Sequence, residues 1–238
     1  MKIRNFQGLI TPILVVLLVV AAFLIGVFWT KVQMLEKGTV SDVKVGANPG
    51  APAKPAVAAL SGDKFNELVK DAIFLNGNRD AKVKIVEFTD FECPYCGSFF
   101  STTYPQIAKE YLDSGKVGFY IRHFPLYSIH PDAENGSLAV ECAKEQDKFV
   151  KMHDMLFANQ KALTVTDLKS YGVKIGLNTS QFNSCLDSKK YKDNVDRDAK
   201  LGDAAGVSGT PAFFINGKFI SGAQAFATFK TTIDQELK

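Results

Sequence analysis

Cysteine and histidine are scarce in this sequence, which has 4 cysteines and 3 histidines among 238 residues. Two of the cysteines, Cys93 and Cys96, stand together as Cys-Pro-Tyr-Cys. A zinc site would need two further ligands at suitable spacing. No second close pair such as CxxC or HxxxH is present, so a zinc site is disfavoured. The other candidate ligands are Cys142, Cys185, His123, His130 and His153.

A basic surplus is absent from most of the chain. Lysine and arginine number 28 and aspartate and glutamate 25, a net charge of +3. Residues 1–60 hold 6 basic and 2 acidic side chains, which leaves 22 basic and 23 acidic ones, a net charge of −1, for residues 61–238. Because nucleic-acid binding relies on clustered positive charge, nucleic acid is not expected as a partner.

A long run without charge occurs at Leu9–Trp29, LITPILVVLLVVAAFLIGVFW. As a helix it would extend about 31 Å, the thickness of the hydrocarbon core of a bilayer. The alternative is a cleaved signal peptide, which would have a shorter apolar run followed by small residues, whereas the bulky WTKVQM follows here. Lys2 and Arg4 precede the run. We therefore expect a single-pass signal anchor, with residues 1–8 in the cytoplasm and the rest of the chain outside it.

Residues 30–60 separate this anchor from the rest of the chain. From residue 38 onward they read GTVSDVKVGANPGAPAKPAVAAL, rich in Gly, Ala and Pro and without helical or strand periodicity. This composition predicts a linker. Residues 61–238 are then long enough to form one domain with a sizeable core.

The domain opens with helix and strand signals. Ser61 predicts the start of a helix, which we expect to continue to Asn76-Gly77. Val83–Phe88, VKIVEF, predicts a strand. A helix is predicted over Cys93–Leu112, with a kink at Pro105.

The second half of the domain changes character. After a predicted strand at Val117–His123, residues 128–206 show only helical patterns. Strand character returns at Ala212–Gly222, where the Asn-Gly pair in its middle predicts a hairpin, and a last helix covers about 225–237. The order predicts an α/β domain with a helical block inserted into it.

The setting of Cys93 and Cys96 is that of a reactive dithiol. Coming after a strand, Cys93 should lie at a helix N-terminus, where backbone N–H groups stabilise a thiolate and lower the pKa. A Cys-X-X-Cys pair can close a strained, reducible disulfide. Its short loop would stabilise the fold little, so a purely structural disulfide is disfavoured.

Two features near the pair could take part in its chemistry. Glu87 lies within the apolar strand; if that strand is buried on both faces, the pKa of Glu87 should be raised and it could accept a proton from the second thiol. The alternative is that Glu87 faces solvent on an edge strand. Gly209-Thr210-Pro211 precedes the hairpin, and Pro211 is a candidate for a cis peptide bond.

The segments EFTDFECPYCGSFF, YIRHFPL and GVSGTPAFFINGKFISGAQ resemble the DsbA-like thiol-disulfide oxidoreductases of the thioredoxin superfamily. The resemblance covers about Asn78–Lys238. It implies a thioredoxin-like α/β fold with a helical insertion at about residues 128–206. The predicted transmembrane helix and flexible linker that precede this domain lie outside the resemblance.

The resemblance also implies roles for individual residues. Cys93 would be an exposed nucleophile, Cys96 a buried resolving thiol and Glu87 the buried acid beside them. Thr210 and Pro211 would form the loop that faces the disulfide and binds substrate backbone. Strong oxidants of the family have histidine where this chain has Tyr95, so we expect a less oxidising couple here.

Cys142 and Cys185 lie in the helical block. The resemblance implies a structural disulfide between them, because some relatives have one there, and two buried free thiols are the alternative. Asp90 and Glu92 are expected to be solvated and to oppose thiolate formation at Cys93. His130 is expected to line the helical block near the site without acting in catalysis.

Four apolar side chains near the cysteine pair could form a surface for unfolded clients, or could belong to the core. They are Phe91, Tyr95, Phe99 and Pro125. We assign Tyr95 to the substrate-binding surface.

These observations predict a membrane-anchored, extracytoplasmic enzyme that introduces or exchanges disulfides in exported proteins. We expect a monomer with no cofactor and no metal. The resemblance implies reoxidation by a membrane partner that passes electrons to a quinone. The alternatives are a reductase or isomerase acting on the same bonds, and a metal chaperone that uses the two thiols as ligands.

Overall fold

The structure is a computed structural model that describes residues 59–238. The predicted membrane anchor lies outside these residues, as does the linker apart from Ala59 and Leu60. Within the described range, no helix combines the length and the apolar character that crossing a bilayer requires.

The described chain folds in the predicted order of strands, helical block and hairpin. The elements before the helical block are α1 (Gly62–Val69), β1 (Ile73–Gly77), β2 (Val83–Thr89), α2 (Pro94–Thr102), α3 (Tyr104–Ile107), a π-helical turn (Ala108–Leu112) and β3 (Val117–His123). The block contains α4 (Ala133–Lys144), α5 (Phe149–Ala158), α6 (Val165–Lys174), α7 (Thr179–Asp187) and α8 (Lys192–Ala204). The chain then forms β4 (Ala212–Ile215), β5 (Lys218–Ser221) and α9 (Phe226–Leu237).

The strands form one sheet in the order β1-β3-β2-β4-β5. β2 pairs in parallel with β3 and antiparallel with β4, while β1 and β5 are the antiparallel edges. The predicted strand at Val117–His123 and the hairpin around Asn216-Gly217 are confirmed. β2 is therefore the central strand, with a neighbour on each side.

The two faces of the sheet bury different sets of residues, because successive side chains of a strand point to opposite faces. Ile85 belongs to the larger apolar cluster, which extends into α2, α9 and the helical block. Val86 and Phe88 belong to a smaller cluster that packs against α1 and α8. By this alternation Glu87 shares the face of Ile85, beneath α2.

The predicted helix from Ser61 to Asn76-Gly77 is wrong in its second half. The helix ends at Val69, and Ile73–Gly77 forms the edge strand β1 instead. Asp71 has a φ of +59°, which cannot continue a right-handed helix. Gly77 has a φ of +91°, and a Cβ there would lie 2.1 Å from the Val117 carbonyl oxygen, so close pairing with β3 requires glycine.

The predicted helix over Cys93–Leu112 is interrupted at Thr103 and continues as α3 and the π-helical turn. The predicted kink at Pro105 coincides with this break, since Pro105 lies in the first turn of α3 and cannot donate a backbone hydrogen bond. At the break, Thr103 Oγ1 donates to the Gln224 carbonyl oxygen at 3.0 Å, which ties it to the segment before α9.

Candidate active site

Cys93 and Cys96 begin helix α2, where the loop after the central strand turns into the helix. Cys93 is the N-cap and Pro94 the first helical residue, a position at which the missing N–H of proline is not needed. Both cysteines are free thiols in the described part of the chain. The expected exposure of Cys93 is wrong: it is 2% exposed, and Cys96 is fully buried. The loop carrying Thr210 lies against the Cys93 sulfur.

The two thiols differ in acidity. The pKa of Cys93 is lowered from 9.0 to about 6, chiefly by a hydrogen bond with Cys96. Burial opposes this shift, while Thr210 and the backbone N–H groups of Cys96 and Tyr95 support it. The pKa of Cys96 is raised well above its ordinary value, first by burial and then by the hydrogen bond with Cys93. One helical turn therefore holds an acidic thiol beside a thiol that stays protonated.

Glu87 lies beneath this turn on β2 and is 3% exposed. The alternative of a solvent-facing Glu87 on an edge strand is wrong, because β2 is central. Burial raises the pKa of Glu87 from 4.5 to about 8, against the lowering effect of Thr89. Glu87 Oε1 and Thr89 Oγ1 are both buried, and neither has a well-directed hydrogen-bond partner among residues 59–238. The Thr89 hydroxyl lowers the pKa of Glu87 and of Cys96, which places it beside both groups.

The loop before β4 meets the cysteine pair from the other side. The Thr210-Pro211 peptide bond is cis, as expected from the sequence. Cys93 Sγ lies 3.4 Å from the Thr210 carbonyl oxygen. The Pro211 carbonyl oxygen accepts from Gly222 N at 2.8 Å, which fixes the loop to the far strand of the hairpin.

Gln160 is a site residue that sequence reasoning missed. It follows α5, and its Nε2 donates to the carbonyl oxygens of Phe91 at 2.9 Å and Cys93 at 2.8 Å. A Cβ at Gly97 would lie 2.0 Å from Gln160 Oε1, so the absence of a side chain at Gly97 makes room for the amide. The only sequence signal for this contact was the glycine directly after the second cysteine, and that glycine did not indicate that Gln160 lies against it.

Asp90 and Glu92 bind the loop that precedes the helical block. The expected solvation of Asp90 is wrong, because Asp90 is fully buried. Asp90 Oδ2 accepts from Leu126 N at 2.9 Å and lies 2.7 Å from His130 Nδ1. Glu92 Oε2 accepts from Asp132 N at 2.7 Å. As expected, His130 lies near the site, but the sequence did not show that it pairs with Asp90.

Of the four apolar side chains considered as a client surface, three are buried. Phe91 is packed among His153 and Phe157, and Phe99 against Phe213, so both belong to the core. Pro125 is buried as well. Tyr95 is 67% exposed, beside the cysteine pair. In the loop that carries His130, Tyr127 and Ile129 are also exposed.

Cys142 and Cys185 form a disulfide in the structure, between α4 and α7, with their Cα atoms 5.9 Å apart. Both cysteines are buried. The bond joins two helices of the block and lies outside the cluster formed by Cys93, Cys96 and Glu87.

Most of the domain matches a known protein family. A family model described as thioredoxin matches residues 70–235. The probable disulfide bond formation protein D of Bacillus cereus is 37% identical over 186 residues, which cover 74% of this chain and 84% of that protein. The crystal structure of oxidised BdbD from Bacillus subtilis superposes with a TM-score of 0.63 at 27% identity, covering 71% of this chain and 99% of that one.

A second group of relatives carries a different name. The Na(+)/H(+) antiporter NhaA 3 of Salinispora tropica is 36% identical over 173 residues, which cover 71% of this chain and 26% of the antiporter. The chain thus spans about a quarter of the length of that relative.

Proposed function

The chain belongs to the DsbA-like thiol-disulfide oxidoreductases of the thioredoxin superfamily, and from this we propose that it introduces or exchanges disulfides in exported proteins through Cys93 and Cys96. The observation that carries the proposal is the difference between the two thiols. Cys93 has its pKa lowered to about 6, while three positions further on Cys96 has its pKa raised. A good leaving thiolate beside a protonated buried thiol suits a pair that forms and releases mixed disulfides.

The reaction begins with the pair oxidised. A client thiolate attacks Cys93 Sγ, the bond between Cys93 and Cys96 breaks, and Cys96 leaves as a thiolate. A second client thiolate then attacks the client sulfur of the mixed disulfide and releases the Cys93 thiolate. The client loses two electrons and gains a disulfide, and the enzyme pair gains those two electrons.

Glu87 supplies the proton that the first step requires. With a pKa of about 8, its carboxyl is largely protonated at neutral pH. Cys96 is buried and its thiolate is disfavoured, so a proton from Glu87 stabilises it as it leaves. When the pair is oxidised again, Glu87 accepts the proton back from Cys96.

The client is held by the surface around Cys93. Cys93 Sγ lies against the Thr210 carbonyl oxygen, so a client that reaches Cys93 also meets the Thr210 loop. Thr210 and Pro211 then offer backbone to an extended client segment, and the exposed Tyr95 offers an apolar face. Clients are exported proteins with cysteine thiols.

The site of action is outside the cytoplasm. We place residues 9–29 in the membrane as a single-pass anchor and residues 61–238 outside as a monomeric domain, on the charge and hydropathy of the sequence. A membrane protein that passes electrons to a quinone reoxidises the pair. After brief reduction of intact cells, a membrane-impermeant thiol reagent should modify Cys93; a Cys93 that is modified only after the cells are lysed would contradict this location.

Trapping of mixed disulfides tests the proposed chemistry. Full-length Cys96→Ser should accumulate a mixed disulfide with a peptide that carries a disulfide: the Cys93 thiolate attacks one peptide sulfur, the other leaves as a thiolate, and no Cys96 thiol is present to displace the peptide. Cys93→Ser should accumulate none, although it keeps the same number of cysteines. Equal trapping by the two variants, or none by either, would refute the assigned roles.

The reduction potential of the pair decides between oxidation, reduction and isomerisation. Equilibration of the full-length protein with glutathione buffers, followed by alkylation of free thiols, measures it. We expect a potential that is less oxidising than that of Pro-His members of the family. A value as oxidising as theirs would show that Tyr95 does not weaken the couple.

A further inference from the structure

Asp90 is a fully buried carboxylate in the loop that leads to Cys93. Its Oδ1 accepts from Glu92 N at 2.8 Å, its Oδ2 accepts from Leu126 N at 2.9 Å, and its backbone oxygen accepts from Cys93 N at 3.1 Å. These contacts fix the carboxylate three positions before Cys93 on the shielded side of the loop. A negative charge held there opposes the Cys93 thiolate, and burial leaves little water to screen it.

The same carboxylate has a histidine as its partner in the structure. Asp90 Oδ2 lies 2.7 Å from His130 Nδ1, and the His130 side chain is 14% exposed. The contact spans 40 positions of sequence and joins the cysteine loop to the segment that enters α4. A buried carboxylate is stabilised by such a pair, and the pair as a whole is neutral.

We infer that His130, paired with Asp90, is a positioning residue that prevents the buried Asp90 carboxylate from opposing the Cys93 thiolate. His130 acts on Cys93 through Asp90 and through its own charge. The inference rests on the proposed function, in which Cys93 is the attacked and leaving sulfur. It adds a residue from the helical insertion to the control of that sulfur.

The charged groups that face His130 are Asp90, Glu92 and Cys93. Burial alone would lower the pKa of His130, but the hydrogen bond and charge of Asp90, together with the charges of Cys93 and Glu92, outweigh burial and raise it above 6.5. The pKa of Cys93 is lowered to about 6, so the raised pKa of His130 favours its charged form where the thiolate forms. The support for the thiolate is complete at low pH and fades as the pH rises through the raised pKa of His130.

The test is the Cys93 pKa in two full-length variants, read from thiolate absorbance with Cys96 replaced by serine in all proteins. His130→Asn keeps an N–H donor for Asp90 and removes the charge, so the Cys93 pKa should rise by about one pH unit. Asp90→Asn removes the negative charge, so the Cys93 pKa should fall. Opposite shifts support the inference, since a structural role for the pair would move both variants in the same direction.

Thermal unfolding of each variant verifies that it is folded. If Asp90→Asn does not fold, His130→Asn decides alone: a folded variant with an unchanged Cys93 pKa overturns the inference. With Cys96 restored, His130→Asn should also make the couple less oxidising, by at most about tenfold in the equilibrium constant, or about 30 mV. A Cys93 pKa near 9 in the protein that keeps Cys96 would refute the proposed function; an acidic Cys93 whose pKa does not change in His130→Asn would refute only this inference.

Discussion

Glu87 and Arg122 are buried ionisable residues on neighbouring strands of the same sheet, and their surroundings differ completely. Arg122 Nε donates to the Leu68 carbonyl oxygen at 2.8 Å, and its guanidinium pairs with Asp198 and reaches the Lys70 carbonyl oxygen. Arg122 is 1% exposed and Glu87 is 3% exposed. Glu87 Oε1, in contrast, has no hydrogen-bond partner in the part of the chain that the structure describes.

Arg122 therefore stabilises the fold, whereas Glu87 can change its protonation state. Arg122 ties the end of α1 to α8 across one face of the sheet, and its charge is matched where it lies. Glu87 lies on the opposite face, and burial without a partner raises its pKa to about 8. A buried charge that is fully paired is stabilised in its charged form. A buried acid without a partner, whose pKa lies near neutral pH, can instead exchange a proton with Cys96.

The largest loss of stability is expected from breaking the pair of Arg122 and Asp198. Asp198→Asn leaves the Arg122 guanidinium buried without a carboxylate, and should lower the free energy of unfolding by about 3–5 kcal/mol. Urea denaturation of the full-length protein measures the change. Asp196→Asn is the matched control, because Asp196 lies on the same helix and pairs with Lys192 at the surface. It should cost less than about 1 kcal/mol. Equal losses in the two variants would show that the Arg122 pair is no more important than a surface pair.

The second largest effect is expected at the other cysteine pair. Replacing Cys142 and Cys185 by alanine opens a bond that spans 43 positions between α4 and α7. The loss should be about 2–4 kcal/mol, near the value for a loop of this length in the chain-entropy model. Urea denaturation under oxidising conditions measures it. Replacing Cys93 and Cys96 by alanine should lower the free energy of unfolding by much less. If this replacement caused the larger loss, the structural and reactive roles assigned to the two pairs would have to be exchanged.

Local patterns predicted most of the fold, whereas partners distant in sequence were not predictable. The central strand, the hairpin and the helical block follow from periodicity and turn residues, because those signals are local. The edge strand β1 was missed, since its pairing with β3 decides its conformation. The burial of Asp90 and the position of Gln160 also depend on contacts 40 and 67 positions away, and no local signal reports them.

An effect of opposite sign is expected from Glu87→Gln, which should stabilise the protein. Between pH 4.5 and 8, folded Glu87 stays protonated while the unfolded chain ionises, so wild-type stability falls as the pH rises. The variant lacks this loss, and its advantage should grow by up to about 1.4 kcal/mol per pH unit through that window. Thermal unfolding at pH 4.5 and pH 8 measures it, and a pH-independent difference would contradict a raised pKa.

The same variant should lose activity while it gains stability. Without Glu87, the Cys96 thiolate leaves without a proton donor, so turnover of a dithiol peptide should fall by about tenfold at pH 7. Alkylation of Cys93 in the reduced protein should change little, because that step does not involve Glu87. Unchanged turnover across pH 6–8 would show that Glu87 is a strand residue without a catalytic role.

The smallest effect is expected at Thr89, whose buried hydroxyl lowers the pKa of both Glu87 and Cys96. Thr89→Val removes the hydroxyl at constant shape, and stability should change by less than about 1 kcal/mol because no well-directed hydrogen bond is lost. The pKa of Glu87 should rise above its value of about 8, so the alkaline limb of the turnover profile moves to higher pH. Thr89→Ser keeps the hydroxyl and should retain the wild-type profile. If the turnover profiles of the valine and serine variants are the same, the hydroxyl does not act on Glu87. The difference between Glu87 and Arg122 then depends on the Glu87 carboxyl alone.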